Sequence, residues 1–214
     1  MILDEMTRKE IILRSKSQSP DRVLRSKEYS AKDFKNVNFK QLFEDDIFTW
    51  VARVGKHTVA ISFYGPFEDL KEYVKSMRGP NRLKRISVRL VAAALSKSLD
   101  ENDIYVTCSC KDFKFRMKYH ATKAGINFGK PQLVKPKYKK TNKDNTKGLV
   151  CKHILAVLQG KRWVPSAAKA WLSYMQSNPE LSEAYLWDMD IKREKQAERQ
   201  KDIKNNNSEE RVDD

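Results

Sequence analysis

The sequence predicts an α+β protein, and three observations carry that prediction. Two runs rich in β-branched and aromatic residues, Ile47–Val54 and Thr58–Tyr64, flank a short glycine-containing break. Several later segments repeat apolar residues at intervals of three and four. All three cysteines and one of the three histidines fall into an ordered pattern, Cys108-x-Cys110 and then Cys151-x-His153. The expected order is a small hairpin-and-helix N-terminal region, a zinc-stabilised ββα-like module, and C-terminal helices.

Each element can be justified from its residues. Residues 1–40 are poor in large apolar groups and include Ser15-Lys16-Ser17-Gln18-Ser19-Pro20, so they read as an extended, partly disordered arm. Gly55-Lys56-His57 turns the two β-rich runs into a hairpin. Pro66 opens a helix carrying Phe67, Leu70, Tyr73, Val74 and Met77, and Gly79-Pro80 closes it. A second helix is expected over 83–98, with Leu83, Ile86, Leu90, Val91, Ala94 and Leu95 on one face. Asp100–Asp103 turns into a short strand, Ile104–Cys108. Asp112 is positioned to cap a short helix through Phe113, Met117, His120 and Ala121, ending at Gly125.

Residues 127–148, rich in Lys, Asn, Pro and Gly, read as an irregular loop. Helices are expected from Cys151, after Pro165-Ser166 (with Trp171, Tyr174 and Met175), and from Pro179 to Trp187. The organisation is therefore an arm (1–40), an α+β region (41–102), a metal module (103–160) with a basic insertion (127–148), C-terminal helices (161–190) and a charged, mostly disordered tail (191–214).

Composition narrows the class. The chain has 214 residues, 40% of them hydrophobic and 33% charged. No stretch approaches the roughly 18 apolar residues of a membrane span, and the acidic start Met1-Ile2-Leu3-Asp4-Glu5-Met6 does not resemble a signal peptide. An odd, small number of cysteines argues against a disulfide framework and for a reducing, cytoplasmic setting with no membrane partner. The formal charge is +15, and residues 111–150, with twelve Lys and Arg against two Asp, carry ten of those charges. A field concentrated in this way attracts a polyanion.

The Cys/His pattern has a physical reading. Side chains two residues apart in extended chain point the same way, so Cys108 and Cys110 can aim both sulfurs at one point, and Cys151 and His153 can do so where a loop enters a helix. Zinc takes four such ligands in a tetrahedron, and structural sites fill all four positions with protein. The competing readings are buried cysteines behaving as small core residues, and His120 as a rival fourth ligand. An iron–sulfur cluster would call for four thiolates. A Cys151/His153 nucleophile–base pair would leave Cys108 and Cys110 unexplained.

The order Cys-x-Cys, long spacer, Cys-x-His resembles the SWIM-type zinc finger of transposase-related, chromatin-remodelling and recombination-associated proteins. Here it reads Cys108-Ser109-Cys110-Lys111-Asp112-Phe113 and Cys151-Lys152-His153-Ile154-Leu155-Ala156, within residues 103–160. Val106 to Leu158, with its Lys/Asn-rich spacer, is similar to SWIM-containing proteins encoded by large tailed bacteriophages. The resemblance implies one structural zinc ion and an intracellular protein, in host cytoplasm or virion if phage-encoded.

No Gly-rich phosphate loop, metal-flanking carboxylate pair or Ser-His-Asp order emerges, and Glu44-Asp45-Asp46 reads as a solvated turn, so no enzyme is expected. The expected partner is nucleic acid, DNA ahead of RNA, with little sequence preference. Lys111, Lys114, Arg116, Lys118, Lys123, Lys135, Lys137, Lys139 and Lys140 would meet phosphates and Tyr138 a base. Lysine in excess of arginine favours backbone contact over base reading. The alternative is a phage structural or assembly adaptor binding other virion proteins, with Trp163, Trp171, Tyr174, Tyr185 and Trp187 as its contact face.

Overall fold

The two β-rich runs pair as expected. In the computed structural model, which describes residues 6–36, 39–134 and 148–188, Ile47–Val54 (β2) and His57–Tyr64 (β3) form an antiparallel hairpin with Phe48 opposite Phe63 and Trp50 opposite Ile61. Ala31–Asn36 (β1) joins β2 on one side and Ile104–Cys108 (β4) joins β3 on the other, giving an antiparallel sheet in the order β1-β2-β3-β4. Alternation places Phe48, Trp50, Ala52 and Val54 on the same face as Val59, Ile61, Phe63, Ile104 and Val106, and all of these are buried. With its helices, this sheet makes the chain an α+β protein.

Helices cover that face. Pro66–Val74 (α4), Val88–Glu101 (α5) and Val164–Ser177 (α8) contribute Phe67 and Leu70, Val91 and Leu95, and Trp171 and Met175 to one continuous hydrophobic cluster shared with the sheet. Single turns of 3-10 helix at Arg82–Arg85 and Lys161–Trp163 lead towards α5 and α8. Phe39–Asp45 (α3) precedes β2, and Pro179–Glu183 (α9) runs into a π-helical turn, Ala184–Asp188. No helix among the described residues is long and apolar enough to cross a membrane.

Asp46, part of the acidic trio, has a defined role in this packing. Its carboxylate accepts the backbone N–H groups of Phe67 (2.7 Å) and Glu68 (3.1 Å), capping α4 from outside its own chain segment. Burial pushes this carboxyl up to about 7 even though both bonds favour its charged form.

Several sequence expectations require correction. The first concerns the N-terminal arm, whose described part is not extended chain. Arg8–Gln18 (α1) and Pro20–Ser26 (α2) are helices, β1 follows them, and Met6, Ile11 and Val23 are in the core. Thr7 and Glu10 form a reciprocal capping box that starts α1. Arg8 pairs with Asp100 of α5 at 2.8 Å, and Asp100 also takes Lys161 at 2.6 Å. The second is the aromatic contact face of the adaptor reading. Trp163, Trp171 and Trp187 are buried in the core, and Tyr174 and Tyr185 are half-buried against Phe43.

Asp112 also behaves differently from expectation. It is itself helical, makes no capping bond, and pairs with arginines instead. The segment it begins is a π-helical turn, Phe113–Met117, followed by Lys118–Lys123 (α6). β4 lies in the same sheet as the hairpin, so residues on both sides of position 102/103 share one core. Most of the expected loop (135–147) and the tail (191–214) lie outside the described residues.

Candidate metal centre

Cross-strand register brings the first sulfur to the edge of the core. Cys108 pairs with Val59, which pairs with Ala52, so its side chain points to the buried face at the end of β4. The chain then turns. Ser109 N–H donates to Thr58 O and Ser109 Oγ accepts from Thr58 N–H, each at 2.9 Å, which fastens the turn to β3. Cys110 follows on the same side. The backbone N–H of Cys110 points at Cys108 Sγ (3.4 Å), and that of Phe113 points at Cys110 Sγ (3.2 Å). Such N–H···S contacts stabilise thiolate.

The second pair arrives with Lys152–Gln159 (α7), for which Cys151 is the N-cap. Ile154, Leu155, Val157 and Leu158 bury the apolar face of α7 and fix its position. The approach to Cys151 is tight. Gly148, at φ +110°, passes so close to α2 that a Cβ there would lie 2.7 Å from Arg22 Nη1 and 3.1 Å from Ser19 Oγ.

The result is one cluster of four buried donors, Cys108, Cys110, Cys151 and His153, whose ligand atoms all lie within 4.8 Å of one another. His153 Nδ1 stands 4.0 Å from both Cys108 Sγ and Cys151 Sγ. A tetrahedron with bonds of about 2.3 Å to sulfur and about 2.0 Å to nitrogen separates neighbouring donors by about 3.5–3.8 Å. The observed cluster is only slightly wider, so a small inward movement would complete such a shell, and these four residues could hold a metal ion. His120 does not belong to it; its ring sits against Tyr119.

Electrostatics are consistent with a metal-binding donor set. Three sulfurs this close cannot all be charged without a cation. Cys110 is held far below the usual thiol range by hydrogen bonds from the Cys108 and Cys151 thiols and from Phe113 N–H. Cys108 is pushed up to about 12, chiefly by donating to Cys110. Burial, and then the two neighbouring sulfurs, raise Cys151 well above its ordinary value. Of the three sulfurs, the surroundings of Cys110 most favour a thiolate.

Two aromatic residues that the sequence did not assign to the site complete its wall. Tyr29 meets His153 edge-on at 4.9 Å, with Lys152 Nζ 4.7 Å from the Tyr29 ring centre. His57, expected as surface decoration, lies 4.5 Å from His153 between ring centres, and desolvation and that neighbour lower its pKa. The register shows why: His57 is two residues before Val59 and so faces the same side as Cys108.

Of the residues expected to contact nucleic acid, Lys111, Lys114 and Lys123 are exposed, and Arg116 and Lys118 half-buried, on the segment immediately after Cys110. Lys135, Lys137, Tyr138, Lys139 and Lys140 lie outside the described residues. What fold and site define together is an α+β protein with a buried Cys3His cluster suited to a metal ion. No family model matches the chain, and no curated protein or solved structure matches it.

Proposed function

We propose that this chain is a non-enzymatic, zinc-stabilised protein of the SWIM-finger type that binds nucleic acid, DNA ahead of RNA and with little sequence preference. One observation carries the reading: a buried four-donor cluster from which a strongly basic segment emerges directly. Three thiolates and an imidazole suit zinc, and four protein ligands leave no coordination position for substrate, so its role is structural. With the metal in place, Lys111, Lys114 and Arg116 are carried on the turn after Cys110, and Lys118 and Lys123 on α6 behind it. Cations held in this way release counterions from a phosphate backbone. The adaptor alternative has less support, because three of its five contact aromatics, Trp163, Trp171 and Trp187, are buried.

The test is zinc stoichiometry on the purified full chain and on Cys151→Ser, with duplex-DNA binding followed by fluorescence anisotropy across salt. Expected are one zinc per chain, its loss in the variant, and a slope of log K against log salt of about −5 if six phosphates are contacted. Zinc without any nucleic-acid binding would leave the metal centre standing and move the function to protein assembly. Protein purified without chelator and lacking zinc would overturn the metal reading.

A further inference from the structure

The N-terminal helices do more than add to the core. Where α1 ends and α2 begins, they face the turn that comes after Cys110, and between them runs a groove of about 610 Å³. That volume lies within the range of ligand-binding clefts. Arg22 and Arg25 line it from the N-terminal side, Lys111 and Arg116 from the segment after Cys110, and Lys152 from the start of α7. Only Asp21 and Asp112 oppose these five cations, leaving a net excess of three positive charges. Asp112 lies 3.4 Å from Arg116 Nη1 and 4.0 Å from Arg22 Nε, so it steadies two arginines from opposite walls. Phe115 also lines the groove, and it is 64% exposed although its neighbours Phe113 and Met117 are fully buried.

We infer that this groove is the track of a single-stranded polynucleotide, with Phe115 as a stacking platform for an unpaired base and Arg25, Lys111 and Lys152 as phosphate contacts. The inference rests on the nucleic-acid reading above and goes further, to the strand form and the surface. A concave cleft with cations on both walls and an exposed aromatic ring on one of them has the two features that single-strand binders combine: a charged path for the backbone and a flat apolar face for bases. A duplex keeps its bases stacked inward and offers Phe115 no base face. The groove needs both halves of the fold, because Arg22 and Arg25 come from residues more than eighty positions before Lys111.

The experiment uses the full-length zinc-loaded chain and fluorescence anisotropy with labelled oligo(dT) and oligo(U) of about twelve nucleotides, and with a DNA duplex of matching length. Phe115→Ala should weaken oligo(dT) binding about 5- to 100-fold and leave duplex affinity within about twofold. Arg25→Ala and Lys111→Ala should each reduce the single-strand salt slope by about 0.7. All three positions are exposed, and zinc content with circular dichroism verifies that each variant is folded. Oligo(U) against oligo(dT) shows whether RNA or DNA is the natural strand, and preference for either over duplex supports the groove. A wild type that prefers duplex, or a Phe115→Ala variant that binds oligo(dT) normally or loses strand and duplex equally, overturns the inference. If such a protein loses binding only when Lys135, Lys137, Lys139 and Lys140 are all replaced by Ala, the nucleic-acid reading survives and the groove is not its track. A wild type that binds no polynucleotide overturns both.

Discussion

Cys110 is the sulfur whose surroundings most favour a thiolate. Hydrogen bonds from its neighbours lower its thiol pKa, whereas hydrogen bonding raises that of Cys108 and burial that of Cys151. Coordination requires all three as thiolates, so metal binding must displace protons. We expect zinc to release about two protons near neutral pH rather than three, and the apparent zinc affinity to rise about 100-fold per pH unit there. Calorimetric titration in buffers of differing ionisation enthalpy counts the protons directly. Three released protons would mean that Cys110 is not a thiolate beforehand. The four ligands were legible in the sequence because a side-chain period of two is a local property. Tyr29 and His57 were not, because their approach to His153 depends on how separate segments pack and pair, which no local pattern encodes.

At the scale of elements, the N-terminal helices show where periodicity fails. α1 buries only Ile11 and Ser15, so it carries no apolar stripe to detect. The readable signal was the capping box Thr7-Arg8-Lys9-Glu10, whose spacing marks a helix start even when the helix body lacks an apolar face. The hairpin, α4, β4 and α7 were legible because their apolar patterns match their burial. Charge rather than apolar burial supplies part of what holds α1. Burial alone would raise the pKa of Asp100, but Lys161 and Arg8 outweigh that and hold its carboxyl below the ordinary 3.8. A carboxyl depressed in the folded state stabilises the fold above its unfolded pKa, and the contribution is lost as pH falls through the folded value. Asp100→Asn should therefore cost about 1–2 kcal/mol at pH 7. Urea titrations of variant and wild type should converge as pH drops below about 4. A gap that persists unchanged at low pH would assign the loss to packing instead of charge.

Across the whole molecule, the Cys3His cluster and the sheet share one foundation. Cys108 ends a strand whose Ile104 and Val106 lie in the main core, and α7, which delivers Cys151 and His153, buries Ile154 and Leu155 in the same cluster. Structural zinc in finger peptides contributes on the order of 10–16 kcal/mol, similar to the whole stability of a typical domain, about 5–15 kcal/mol. A separate finger would melt alone when stripped. Here β4 pairs with β3, so removing a metal held by these sulfurs would loosen a strand of the central sheet. We expect chelation at neutral pH to lower the stability of the entire described core in one transition. Hydrogen exchange gives the decisive comparison: amide protection at Ile61 in β3 and Leu95 in α5 should fall together with protection at Val106 and Leu155. If Leu95 keeps its protection while Val106 and Leu155 lose theirs, the centre and the helical layer are separate cooperative units, and the shared sheet does not couple them.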